Sequence, residues 1–505
     1  MRFRSLIIMC VLAMLPAAPL EASGGGEEEP GTIFTLWPLV DYRESPGDGF
    51  SNLSILGPLI KIQQKGDEGT TAVRPFVYRT FDKREGDAET SYLYPIASSR
   101  ESSSASTFQI LKLFQVNTFR KDEPDKAKSD SMLFPFYIRG SSETHGPYMS
   151  VFPFYGTLYG RLWRDEIHYT LFPLYSRTVK KGTTTRNYLY PFFSTTTGER
   201  ESGFQFWPFY GSAAKEGSYE SRFVLWPFYL HERKGLDTDN PTERFTVFPF
   251  YSSTESPRVS SRTYLWPFMG WTSDREARQE ERRYLWPLVM TSTGEKREVK
   301  RYFPFYAQER SGETLKRWYL WPLYRHDEIV SDTYCRERDR VLFFLYSDLH
   351  EQWPIDGAER RRISLWPVFV FNRDTRGVKQ FSFPAPLEPV FSQEGIERSW
   401  APLWRVYIQR WSDSGDSAAS FLWNLYWHER RGKDLAYELF PLVSYRSEGE
   451  RADIAVLKGF IRLRENNGLK TLSLFWLPFG VTWEMTGEVA AEQESTMMSG
   501  ARFEP

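Results

Sequence analysis

Residues 221–233 read SRFVLWPFYLHER, with LWPFY at 225–229 at their centre. The same word, an aliphatic residue, an aromatic, proline and two more apolar residues, returns as LWPLV (36–40), LFPFY (133–137), FWPFY (206–210), LWPLV (285–289), LWPLY (320–324) and LWPVF (365–369). Twenty-four copies run from Pro38 to Pro478 at spacings of 17 to 23 residues, with Gln115, Phe344, Asn424 and Gly459 standing where proline is lost. Self-similarity at a fixed period marks a repeat architecture. One continuous repeat body over 32–483 is therefore expected, although 505 residues would otherwise allow two or three domains.

Glycines fall near the midpoints between words: Gly182, Gly198, Gly217, Gly294, Gly312, Gly432, Gly449 and Gly468. Glycine supplies positive φ at tight turns, and Asn-Gly, as in NNGLK, is a strong hairpin signal. Each repeat then reads as one strand of about a dozen residues, such as RNYLYPFFSTTT (186–197), with the word at its centre and a turn at each end. Connections of a few residues exclude parallel crossovers. The spacing predicts an all-β, antiparallel up-and-down meander of about twenty-four strands. A β-propeller packs four strands into about 40 to 45 residues, roughly half the length per strand read here, and a β-solenoid buries apolar residues on several sides of each coil.

Words paired centre to centre would lay an apolar belt across the sheet, aromatic on both faces. The aromatic row Trp207, Trp226, Trp266, Trp286, Trp321 and Trp366 is a candidate binding surface for sugar rings or lipid chains, its bland reading being core or lipid contact. Arg186, Arg222, Arg244, Arg262, Arg282 and Arg317, each five residues before a proline, form a basic margin able to hold anionic head groups or simply to face solvent. Closure into a large β-barrel would hide the two sheet edges; an open or folded-over sheet is the alternative. Against a barrel stand the apolar residues on both faces, the tail after the last word, and a proline in the middle of nearly every strand, where it removes a ladder hydrogen bond.

Lys plus Arg number 64 and Asp plus Glu 65, so no net field draws in nucleic acid. Arg2 and Arg4, the apolar run Leu6 to Leu15 and small residues up to Ala22 have the layout of a secretory signal peptide over 1–22. Cys10 lies inside the apolar run and fits poorly as a lipidated cysteine. Residues 23–31 read as a flexible linker and 484–505 as a mobile tail. With the leader removed Cys335 is alone and cannot form an internal disulfide.

No phosphate-cradling glycine loop, nucleophile elbow, HExxH or CxxC occurs, and the acids form no obvious acid/base pair, so neither an enzyme nor a cofactor or metal is expected. His231, His326 and His428 each stand four residues after the centre of a word and precede an acid. As metal ligands they would have to converge, yet they lie about five strands apart, roughly 24 Å at ~4.8 Å per strand. They read as polar residues at the belt margin.

The run of LWPFY-like words with charged, glycine-punctuated spacers behind a leader resembles uncharacterised exported repeat proteins of Gram-negative bacteria. The resemblance covers about 32–483 and implies an envelope location without implying an activity. The expected function is a structural or passive transport role in an outer-membrane-associated barrel, with outer-membrane lipid or lipopolysaccharide as partner. The alternative is a soluble periplasmic or surface scaffold or binding protein.

Overall fold

A computed structural model describes residues 32–111, 113–119, 129–142, 144–391 and 393–484. The expected leader, Cys10, the linker and all of the expected tail except Glu484 lie outside these residues. These residues form one antiparallel sheet of 46 strands, each four to eight residues long and, among the described residues, hydrogen-bonded only to its neighbours in sequence. The expected meander is there, but with nearly twice the strands at half the length.

The word accounts for the difference: it is a turn and not a strand centre. Strand Tyr219–Val224 ends at Leu225, strand Tyr229–Lys234 begins after Phe228, and Val224 pairs with Tyr229. Phe228 N–H donates to the Leu225 carbonyl at 2.8 Å, closing a four-residue turn in which Pro227 stands third after a cis bond. Proline at that position defines a recognised turn class. The bond before proline is cis in seventeen words. A mid-strand proline would forfeit a ladder bond, whereas in the turn no N–H is asked of it. RNYLYPFFSTTT is accordingly a hairpin, Thr183–Tyr188 and Phe193–Thr197.

The words come with two loop lengths. Leu93, Leu171, Leu189, Leu225, Leu265, Leu285 and Leu320 adopt left-handed φ between 41° and 52°, which leaves four residues in the loop. Where Val247, Phe206 or Tyr302 takes the place it stays in the strand and pairs across three, as Val247 with Tyr251. Leucine also takes this second form: Leu36, Leu133, Leu365 and Leu439 stay in their strands and pair across three residues.

Words alternate with glycine turns along the chain, so the sheet is a narrow ribbon with words on one rim and glycine turns on the other. Adjacent words are laced together: Leu225 N–H donates to Phe209 O at 2.7 Å and Trp226 N–H to Pro208 O at 2.6 Å, and Leu265 and Trp266 repeat the pattern on Phe250 and Pro249. One face packs large side chains over small ones. Gly211 lies beneath the Phe223 ring, where a Cβ would approach a ring carbon to 2.2 Å, and Gly156 lies beneath Tyr169.

The ribbon is not closed into a barrel. Thr32–Leu36 pairs only with Val40–Ser45, and Val481–Glu484 only with Leu469–Leu474. The ribbon instead meets itself through side chains. Arg43 lies 4.6 Å over the Trp427 ring and 3.6 Å from Glu429, and Trp37 Nε1 donates to Leu422 O at 2.8 Å. Two short helices, Glu394–Ser399 and Ala401–Trp404, interrupt the repeat and clasp the early strands. Arg398 donates to Glu89 at 2.8 Å and Ser91 at 3.1 Å, and Trp400 Nε1 to Tyr94 O at 2.8 Å. Strand closure would require the end strands to arrive in register, and the clasp holds the ribbon at other strands.

Candidate functional sites on the word rim and at the seam

The expected belt across the sheet is instead the word rim. Its tips stand in solvent: Leu225 is 53% exposed, Trp226 48% and Phe228 56%. Trp266, Trp286, Trp321 and Trp366 are similarly exposed at their tips, and Trp207 is half-buried. The second residues of successive words form runs of ring contacts, with centroids 5.7 Å apart for Phe172–Tyr190, 5.8 Å for Trp207–Trp226 and 5.5 Å for Phe303–Trp321. Immediately behind the tips lie tyrosines at strand ends, including Tyr210, Tyr229, Tyr251, Tyr264 and Tyr284. Charged residues follow deeper in the strands.

The arginines of the expected basic margin do not share one kind of partner. Arg186, Arg222, Arg244, Arg262, Arg282 and Arg317 sit within strands, opposite residues as different as Arg177, His231, Glu232, Ser253, Trp271 and Gln308. Arg262 pairs with Glu255 at 3.2 Å and Arg282 with Glu280 at 3.5 Å. Nor do the histidines converge. His231 Nε2 lies 2.8 Å from Glu243, His326 Nδ1 2.9 Å from Asp339, and His428 Nδ1 3.5 Å from the Tyr426 hydroxyl. His326, Glu337 and Asp339 bring ligand-type atoms within 4.8 Å of one another. Asp339 there already accepts from His326 and from the Tyr324 hydroxyl at 2.5 Å, which accounts for the grouping as a hydrogen-bonded set. Cys335 is half-buried and free, its thiol 3.6 Å from Ser331 O.

The seam holds a site that the sequence reading did not find. A cavity of about 390 Å³ opens where strands Thr32–Leu36 to Val77–Asp82 face the two helices and strands Tyr407–Trp411 and Ser417–Phe421. Five cations line it, Lys61, Arg74, Arg398, Arg405 and Arg410, against the carboxylates Asp41 and Glu397. Both acids are already engaged. Asp41 accepts from Arg43 at 3.2 Å and from Thr35 at 3.1 Å; Glu397 accepts from Arg405 and, at 3.2 Å, from Arg362. Burial acts to raise the Glu397 carboxyl, but Arg405 and Arg362 outweigh it and hold it below the usual value. Fully buried Glu388 takes Arg405 as well, at 3.2 Å.

Three cations remain without an ion pair among the described residues. Arg74, only 7% exposed, donates to the carbonyls of Pro58 and Arg398, both at 2.8 Å. Arg410 donates to the Gln380 amide oxygen at 2.7 Å. Lys61 has no hydrogen-bond or ion-pair partner among the described residues, and burial, then the charges of Arg74 and Arg410, push its ammonium down to about 8. Burial also lowers both guanidiniums from their usual value. They stay charged, because arginine does not deprotonate in proteins.

A departure from the word marked this place. Arg74 fills the aromatic slot of VRPFV (73–77), and Gly57 fills it in LGPLI (56–60), where the Trp423 side chain packs 3.5 Å from a built Cβ. Asn424 replaces proline in LWNLY (422–426), and Pro402 belongs to the helical interruption. All four line the seam cavity. Compared with known protein families and with curated proteins, the chain matches no family model and no curated protein.

Proposed function

We propose that this protein is a structural element of the cell envelope, a β-ribbon that rests its word rim in the surface layer of a lipid membrane and keeps its glycine-turn rim in water. The observation that carries this reading is the layering of the rim: exposed Leu, Trp and Phe at the tips, tyrosines behind them, charges deeper in the strands. Amphipathic aromatic rings concentrate at the boundary between hydrocarbon and head group. Contiguous exposed apolar surface of this extent marks an interaction face, and one that follows a whole rim fits a continuous lipid surface better than a compact protein partner.

The strands do not reach across a bilayer. Six residues at ~3.3 Å span roughly 20 Å, whereas a crossing strand needs about 9 to 11 residues. Charged side chains also occupy mid-strand positions, as in YLHERK (229–234). Seating at the surface therefore replaces the transmembrane reading. Half of two aromatic side chains per tip is on the order of 200 Å², worth about 5 kcal/mol if removed from water at ~25 cal/mol per Å². Several tips together would hold the ribbon firmly.

The test is tryptophan fluorescence with vesicles of neutral phosphatidylcholine carrying bromine on the acyl chains. Quenching is expected, because the tip tryptophans meet the bromines. Stable, monodisperse protein that stays unquenched would overturn the reading. Quenching replaced by concentration-dependent dimerisation would assign the rim to a second copy of the chain.

A further inference from the structure

We infer that the seam cavity is a binding site for a phosphate group, carried by a soluble phosphate ester or by a lipid head group, with Lys61, Arg74 and Arg410 as its cationic ligands. The site does not depend on the word rim meeting lipid.

The argument rests on charge left uncancelled in a confined space. In the seam five cations face two carboxylates, and both carboxylates are taken by Arg43, Arg362 and Arg405. The fully buried Glu388 is itself spent on Arg405 and the Trp404 indole. Arg74 and Arg410 have only neutral oxygens as acceptors, and Lys61 has none. Like charges held together away from water repel strongly, so an arrangement of this kind is relieved by a bound anion. A phosphate brings up to two negative charges and several acceptor oxygens, matching three unpaired cations better than a single carboxylate does.

Two further observations point the same way. The Nε of Arg398, which lines the cavity, is buried without an acceptor. The Asn52 amide oxygen there finds no donor either, and turning the amide over would present its NH2 to an anion. The cavity, at about 390 Å³, holds more than the phosphate itself, leaving room for the group that carries it. The cations also stand at departures from the repeat: Arg74 replaces the aromatic of its word, and Arg410 follows directly on the helical interruption. A ribbon built only to close on itself would be served by the ring contacts found elsewhere on the rim.

Isothermal titration calorimetry of the full chain with inorganic phosphate, with glycerol phosphate and with sulfate-free buffer as control tests the site. Lys61→Met and Arg410→Gln remove charge without removing the clasp, whereas Arg74 ties two backbone carbonyls and is left intact. Saturable phosphate binding by the parent is expected, weakened about tenfold or more in the double variant. The melting temperature supplies a second readout: phosphate should raise it in the parent and leave it unchanged in the double variant, whose own melting temperature without phosphate should be no lower than the parent's.

A parallel arm compares phosphatidylcholine vesicles with and without phosphatidic acid. Binding that increases with phosphatidic acid and falls in the double variant identifies a lipid head group as the source; binding of glycerol phosphate alone identifies a soluble ester. Absence of binding to every phosphate probe, or equal binding by the double variant, overturns the inference.

Discussion

Lys61 offers a sharp test of the seam, because its environment opposes the charge it carries at neutral pH. It titrates near 8 in the folded chain, against 10.5 for the free side chain, the first cause being burial and the next the positive charges of Arg74 and Arg410. Asp41, Glu397, Arg398 and Arg405 complete the charged surroundings of the cavity. The unfolded chain therefore holds this proton more tightly than the folded one does. At pH below about 8 both states carry the proton, and the fold bears a destabilisation on the order of 3 kcal/mol. From pH 8 to about 10.5 the unfolded state binds more protons, so stability rises with pH through that window until the penalty has gone. Methionine matches the length of the lysine stem and carries no charge. Lys61→Met should thus stabilise the seam by about 2–3 kcal/mol at pH 7, with the advantage fading between pH 8 and 10.5. The assay is a paired urea titration of parent and variant in phosphate-free buffer, read by proteolytic cleavage within residues 384–406 so that opening of the clasp is followed rather than loss of distant hairpins. A difference that stays constant with pH, or a less stable variant at pH 7, would refute the reasoning.

Further outcomes follow from the same structure. Glu388→Gln removes one of the two carboxylates that hold Arg405, leaving Glu397, and should loosen the helix clasp at a cost of about 1–3 kcal/mol, seen as faster cleavage in the same proteolysis assay. Gly211→Ala places a methyl group against the Phe223 ring and should lower stability by about 1–3 kcal/mol, while adding Phe223→Leu should recover most of the loss in urea denaturation. Trp226→Asp with Phe228→Asp should reduce vesicle binding measured by flotation and leave circular dichroism unchanged, since both side chains are about half exposed; unchanged flotation with several tips altered in this way would count against seating on lipid.

The period of about twenty residues is the same whether the word is a strand centre or a turn, which is why the sequence alone supports either. The deciding fact is local and geometric: Phe228 N–H reaches the Leu225 carbonyl, and Pro227 stands at the turn position that tolerates it. Proline is disfavoured in mid-strand, and a period that holds two strands, one on each side of the word, removes that conflict. Glycine turns, by contrast, act through the backbone conformation of single residues, such as Gly182 at φ 80° and Gly468 at φ 80°, and were legible for that reason.

All-β class, antiparallel meander and aromatic rows were thus written in the sequence, because turn residues and alternating short segments act over neighbours in the chain. Strand number, the conversion of the belt into a rim and the open ends required the folded structure. So did the seam: Trp37 reaches Leu422 across 385 residues and Arg74 reaches Arg398 across 324, contacts that no local period encodes. The sequence does carry marks of the place, Arg74 and Gly57 in aromatic slots and Asn424 in a proline slot, but along the chain each is an isolated lapse in the repeat. Only tertiary packing brings those lapses to one cavity, where uncancelled charge in a confined space gives them a common physical meaning.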